Sequence, residues 1–298
     1  MDTNDRYLTL NDGNRIPRIG YGVFRMTDPA VCEHAVAEAI KAGYRLIDTA
    51  AAYGNERAVG AAVRGSGVAR NEIFVTTKLW TTDTSYDGAR KGVERSLERL
   101  GMDYVDLLLI HQPYNDYYGA WRALGEMQDE GLARSIGVDN FTPDRMADFL
   151  FFNDRKPAVN MVECNAFYQH EYDRRYLHEH GIVMQAWSPL AAGHAELLDN
   201  DLLSHIAGVH DKSVPQIVLR WLTQRGVVPV VKSANPERMR QNLAIFDFAL
   251  SDDEMAAIAT LDTGRTCFSP RDTGEAVHSF LEQAMTYSCL LYTSPSPR

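Results

Sequence analysis

The chain has 298 residues, 45% of them hydrophobic and 23% charged, a balance that excludes disordered, collagen-like and coiled-coil classes. Thirty Lys and Arg stand against forty Asp and Glu, and the net charge of −10 argues against a broad nucleic-acid footprint while leaving room for a local anion site. No run approaches the roughly 20 apolar residues that cross a bilayer, so no membrane partner is expected.

The start of the chain is polar, without the apolar core of a signal peptide. Cys32, Cys164, Cys267 and Cys289 lie far apart with no C-x-x-C pair, which fits reduced thiols in a cytoplasmic protein and neither disulfides nor zinc. No metal is expected.

Short β-rich runs alternate with longer helical patterns, as in parallel strands joined by crossover helices. A β-hairpin comes first, with arms at 7–10 and 15–16 about the turn Asn11-Asp-Gly-Asn14. A strand over 19–23 leads into a helix over 28–42. Strands over 46–48, 74–78 and 105–110 precede helices over 56–64, 86–100 and 118–130. The second half repeats the rhythm, with strands over 135–138, 159–163, 183–187 and 227–231, each followed by a helix. Eight βα units without a Pro-, Gly- or Ser-rich linker predict one closed (β/α)8 TIM barrel with an N-terminal β-hairpin. An open doubly wound sheet needs a Gly-rich turn after its first strand. The nearest match, Gly65-Ser-Gly-Val-Ala-Arg70, follows a helix and lacks the third glycine.

The barrel domain is read as 1–287. Residues 288–298, Ser288-Cys-Leu-Leu-Tyr-Thr-Ser-Pro-Ser-Pro-Arg298, break its pattern with three serines, two prolines and no helical period. They are expected to be a non-native read-through or a disordered tail in place of the native C-terminus.

Active sites of such barrels lie at the C-terminal ends of the strands. Three neighbouring strands end there in Asp48, with Tyr53 in the following loop, in Lys78, and in His111. Singly, each reads as a cap, a packing ring or a solvated strand end. Together they form a proton-transfer set suited to a carbonyl oxygen: an ammonium beside the phenol lowers its pKa from near 10, a carboxylate holds the ammonium, and an imidazole hydrogen-bonds the reacting oxygen.

The phrases around these residues make a specific pattern. They are Gly20-Tyr-Gly-Val-Phe24, Arg45-Leu-Ile-Asp-Thr-Ala-Ala-Ala-Tyr-Gly-Asn-Glu56, Phe74-Val-Thr-Thr-Lys-Leu-Trp80, Tyr104-Val-Asp-Leu-Leu-Leu-Ile-His-Gln-Pro113, Ser135-Ile-Gly-Val-Asp-Asn-Phe141 and Ala186-Trp-Ser-Pro-Leu190. In this order the chain resembles the aldo-keto reductases, and within them most resembles the bacterial diketogluconate-reductase-like branch. The resemblance implies an NADPH-dependent oxidoreductase that reduces small aldehydes, α-keto compounds or keto sugars. Tyr53 would be the general acid, tuned by Lys78 and Asp48, with His111 orienting the substrate. Phe24, Trp80 and Gln112 would line the substrate pocket, together with a C-terminal substrate loop.

The resemblance also assigns Val23, Asp139, Asn140, Met161, Trp187, Ser188 and Leu190 to the cofactor, with Trp187 stacked on the nicotinamide. Lys232, Ser233 and Arg238 precede or open a helix, with Gln241 and Asn242 one turn on. Such groups at a helix N-terminus suit an anion, and the resemblance makes it the adenosine 2′-phosphate. Two positions depart from the usual pattern: Asp139 stands where Ser is common and Met161 where Gln is common. Met161 cannot donate to the carboxamide, whereas Asp139 could accept from it, so cofactor affinity is expected to weaken several-fold. The partner is a small-molecule carbonyl, and a monomer is expected. A regulatory barrel that binds cofactor with little turnover is the alternative, and a metal-dependent hydrolase lacks clustered ligands at the strand ends.

Overall fold

The computed structural model describes residues 6–292, with residues 287–292 through their backbone alone. Asn11 to Asn14 turn the chain between β1 (Tyr7–Thr9) and β2 (Arg15–Pro17), Gly13 taking the left-handed φ of +87°. The two arms pair antiparallel. Eight parallel strands follow: β3 (Gly20–Gly22), β4 (Leu46–Asp48), β5 (Phe74–Leu79), β6 (Val105–Ile110), β7 (Ala133–Asp139), β8 (Val159–Glu163), β9 (Val183–Trp187) and β10 (Val228–Val231). Each pairs with the next and β10 pairs with β3, which closes the barrel.

The crossovers are helical because the strand patterns give way to capped amphipathic runs. Asp28 accepts from the Val31 amide at 3.0 Å to start α1 (Pro29–Ala42), and Gly43 ends it at φ +114°. Ser85 and Gly101 do the same for α3 (Tyr86–Leu100). Between them lies α2 (Glu56–Gly65), whose Gly60 meets the Leu100 carbonyl so closely that a Cβ would stand 1.9 Å from that oxygen. The helices α4 (Tyr117–Asp129), α5 (Pro143–Phe152) and α6 (Glu171–Glu179) join the next strands. The β9 to β10 crossover holds α7 (Ala195–Leu198), α8 (Asp201–His210) and α9 (Val214–Gln224). After β10 come α10 (Pro236–Leu243), α11 (Asp252–Ala259) and α12 (Gly274–Tyr292).

Alternation along the strands separates two cores. Ile47, Val75, Leu108 and Val138 face outward into the main cluster under the helices, while Leu46, Phe74, Leu107, Leu109, Val159 and Val228 fill the barrel. Leu10 and Ile16 of the hairpin join the inner cluster beside the strand starts, so the hairpin plugs the N-terminal end. The polar strand ends are left at the other mouth.

Two expectations shift. The segment after the barrel is more than a loop, because α12 packs Phe280 and Ala284 against Trp80 and Ala51 at the mouth. That helix also continues through 288–292, where the sequence pattern suggested a break; residues 293–298 lie outside the described ones. Among the described residues no helix is long and apolar enough to cross a membrane.

Candidate active site

Asp48 ends β4, Lys78 stands one residue from the end of β5, and His111 follows β6 directly. Because these strands are neighbours in register, all three side chains enter the same mouth. A single 3-10 turn over Ala51–Tyr53 then folds Tyr53 back toward Lys78. Asn55, which sequence reasoning missed, fixes that loop from beneath. Its Oδ1 accepts from the Thr49 hydroxyl at 2.7 Å, and its Nδ2 donates to the Val23 and Met26 carbonyls at 3.0 and 3.2 Å.

The Lys78 ammonium donates to Asp48 Oδ1 at 2.6 Å, to the Thr49 carbonyl at 3.1 Å and to Tyr53 Oη at 3.3 Å. Lys78 is 1% exposed and Asp48 3% exposed, so the pair is shielded from water. Burial works against the Lys78 charge, but Asp48, Tyr53 and Asp139 together outweigh it and raise its pKa. The phenol of Tyr53 moves the other way from expectation. Burial pushes it up to about 12, outweighing the pull of Lys78, with Asp48 and Asp139 adding to the rise. Tyr53 therefore keeps its proton at neutral pH, the form a proton donor needs.

Burial first, then the charges of Lys78 and Arg271, hold His111 well below its ordinary range, so the ring is neutral. Its Nε2 lies 3.7 Å from Asp139 Oδ2. Asp139, 2% exposed, is pushed well above the usual carboxylate range by burial, with Lys78 opposing and Asp48 adding. With His111 neutral, this contact is no ion pair. Asp139 Oδ1 has no hydrogen-bond partner among the described residues.

Aromatic rings wall the mouth. The Phe24 ring sits 5.1 Å from that of Tyr53, Tyr53 5.7 Å from His111, and Trp80 5.0 Å from His111. Trp80 is held by its Nε1 donating to the Ala284 carbonyl at 3.2 Å and by the ring of Phe280. Gln112 is buried, and its Oε1 accepts from Arg271.

The expected cofactor residues divide. Trp187 stands half-buried at the end of β9, with Nε1 donating to Asn140 Oδ1 at 3.0 Å, while Asn140 Nδ2 donates to the His111 carbonyl at 3.1 Å. Asn140 thus ties the indole to the His111 backbone. Ser188, at φ +52°, accepts from the Ala192 amide at 2.9 Å beside half-buried Leu190. Val23 and Met161 are placed differently: the first side chain is buried under the helices and the second in the barrel interior. Beyond β10, Lys232 reaches the Phe24 carbonyl at 3.1 Å and Tyr21 Oη donates to the Ser233 carbonyl at 2.6 Å. Asn235 caps α10, leaving Arg238 and Gln241 exposed in its first turns and Asn242 buried on the inner side.

The site therefore joins a protonated phenol, a charged ammonium and a neutral imidazole under an aromatic wall, with the half-buried indole of Trp187, 5.2 Å from the ring of Phe268, to one side. Among the described residues no group of His, Cys, Asp or Glu is placed to hold a metal.

Comparison with known proteins agrees with this fold. Residues 18–263 match the Aldo/keto reductase family. An aldo-keto reductase of Mycobacterium sp. (strain MCS) is 45% identical over 266 residues, covering 88% of this chain and 93% of the relative. Glyoxal reductase of Bacillus subtilis is 44% identical over 256 residues, 86% and 92% of the two chains. The crystal structure of a Bombyx mori aldo-keto reductase in complex with NADP superposes with a TM-score of 0.85 at 34% identity, over 89% of this chain and 95% of that one. With the family match over most of its length, relatives at more than 40% identity and the closed barrel, this chain belongs to the aldo/keto reductase family.

Proposed function

We propose that the protein is an NADPH-dependent carbonyl reductase that converts aldehydes and ketones to alcohols, with Tyr53 as the general acid. The observation that carries this reading is the buried Lys78 ammonium, held 2.6 Å from Asp48 and 3.3 Å from the hydroxyl of half-buried Tyr53. A phenol that stays protonated at neutral pH can hydrogen-bond a carbonyl oxygen and give up its proton as that oxygen becomes an alkoxide, a far stronger base than phenolate. Lys78 then lies against the phenolate that forms. The neutral His111 supplies a second hydrogen bond to the same oxygen and fixes the carbonyl's orientation.

NADPH fits the remaining groups, and when bound it supplies hydride from C4 of its nicotinamide. The half-buried Trp187, its edge pinned by Asn140, offers a face to the ring, and the unpartnered Oδ1 of Asp139 offers an acceptor for the carboxamide. Lys232, Ser233, Arg238 and Gln241, at the mouth side of α10, suit the adenosine 2′-phosphate. The relative solved with NADP supports this choice.

Phe24, Trp80 and the ring of Tyr53 give an apolar wall for small aldehydes, α-keto compounds and keto sugars, as in the diketogluconate-reductase-like branch. Similarity to glyoxal reductase supports α-dicarbonyls in that set. The enzyme is read as a monomer of the cytoplasm acting on small molecules. The test is oxidation of NADPH and of NADH with a panel of aldehydes, dicarbonyls and keto sugars. Turnover favouring NADPH is expected; saturable NADPH binding with no turnover of any carbonyl would replace this reading with the regulatory one.

A further inference from the structure

One of the two residues that depart from the family's usual pattern, Asp139, ends β7 at the mouth. Its Oδ2 lies 3.7 Å from His111 Nε2. Its Oδ1 has no hydrogen-bond partner among the described residues, and the residue is 2% exposed. The next residue, Asn140, accepts from the Trp187 indole at 3.0 Å. Asp139 thus borders the imidazole offered to the carbonyl and, through Asn140, the indole offered to the nicotinamide.

The charges that face this carboxyl are committed to other groups. Lys78 on β5 spends its ammonium on Asp48, on the Thr49 carbonyl and on Tyr53. Glu163, at the end of the neighbouring β8, accepts from the Cys267 amide and from the Thr266 hydroxyl. Arg271, from the segment before α12, donates to Gln112. Burial opposes the ionised form of Asp139, Lys78 favours it, Asp48 opposes it and Arg271 favours it. The other groups of the mouth keep one state near neutrality: His111 is held well below its ordinary range, Tyr53 is pushed up to about 12 and Lys78 is raised. A further charge brought into the mouth therefore acts on Asp139.

The two oxidation states of a nicotinamide differ by one positive charge on the ring. We propose that Asp139 makes the site distinguish the two states of the cofactor, its carboxylate pairing with the cationic ring of NADP⁺ and its carboxylic acid facing the neutral ring of NADPH. The proposal rests on the carbonyl-reductase reading above. Binding of NADP⁺ to the acid form then releases one proton to solvent. By linkage, NADP⁺ gains affinity over NADPH as pH rises through the titration of Asp139. An opposite charge close to a carboxyl lowers its pKa by about 1–3 units, each a factor of about ten in affinity. In carbonyl reduction the oxidised product is then held harder in alkali than in acid.

The test is calorimetric titration of NADP⁺ and of NADPH, from about pH 5.5 to about pH 9, into the native chain, Asp139→Asn and Asp139→Ser. Both cofactors carry the 2′-phosphate, so the ratio of their dissociation constants cancels its titration. In the native chain the ratio of Kd for NADPH to Kd for NADP⁺ should rise by about 10-fold or more with pH. Repeating the titrations in buffers of different ionisation enthalpy should show more proton released by NADP⁺ than by NADPH. Asn and Ser each keep an oxygen for the carboxamide without the charge, so both variants should bind with a ratio independent of pH and with equal proton release. A flat ratio in the native chain would overturn the proposal, as would a pH-dependent ratio that survives both substitutions. If the native chain bound neither cofactor, the NADPH reading itself would fall, and the proposal with it.

Discussion

Replacing Lys78 by Met keeps a side chain of similar reach in the barrel but removes three hydrogen bonds, to Asp48, Thr49 and Tyr53. Asp48 Oδ2 already has no partner, so the substitution strands a buried carboxylate. Breaking a buried pair from one side costs about 3–5 kcal/mol, and a chain of this size loses about 2 °C of melting temperature per kcal/mol, so a drop of about 6–10 °C is expected. Adding Asp48→Asn removes the stranded charge and should restore most of that loss. Activity should not follow stability. Without Lys78 the influences left on Tyr53 are burial, Asp48 and Asp139, all of which raise its pKa. Both variants should lose about 10²- to 10⁴-fold in kcat, the usual weight of general acid catalysis. Thermal melts by circular dichroism and cofactor oxidation on the same samples separate the two effects. A double variant with native turnover would refute the role of Lys78, and a single variant as stable as the native chain would refute the buried pair.

Asp139→Asn should stabilise the protein at neutral pH. Burial raises the Asp139 pKa in the folded chain, whereas the unfolded chain loses this proton near pH 4, so this group's contribution falls as pH rises from there through its folded titration. The gain in urea midpoint should vanish in acid; a gain that grew in acid would contradict the burial argument. Arg238→Ala should weaken NADPH by about 10- to 100-fold if its guanidinium holds the 2′-phosphate, with little effect on NADH, as read by fluorescence titration. Gly60→Ala should cost about 1–3 kcal/mol or more in denaturant unfolding, because the added Cβ meets the Leu100 carbonyl in the α2–α3 contact.

The barrel was legible because its punctuation is local. Asp28 with Gly43 and Ser85 with Gly101 mark helix ends within a few residues, and eight strand patterns in a row leave few architectures. Asp48, Lys78 and His111 were legible for a related reason: polar side chains at or just past the end of a buried strand emerge at its C-terminal end, and Tyr53 follows Asp48 within one short turn. What the pattern could not carry is depth. The rise in the Tyr53 pKa depends on how completely α12 and the neighbouring strands bury it, which no spacing encodes. The inward or outward turn of Val23, Met161 and Asn242 is decided by packing across strands and helices. Asn55 spends its amide on two carbonyls of a loop about thirty residues earlier in the chain, a partnership no local spacing marks. Arg271 meets Gln112 across 159 positions of chain, a pairing only the folded mouth brings about.

The central claim is that the Tyr53 hydroxyl delivers the proton to the carbonyl oxygen. Tyr53→Phe deletes that oxygen and keeps the ring that packs on Phe24 and His111. Single-turnover reduction of an aldehyde, measured with NADPH affinity on the same protein, tests it directly. The account predicts near-native NADPH binding with hydride transfer slowed by about 10²- to 10⁴-fold; native binding with an unchanged transfer rate would contradict it.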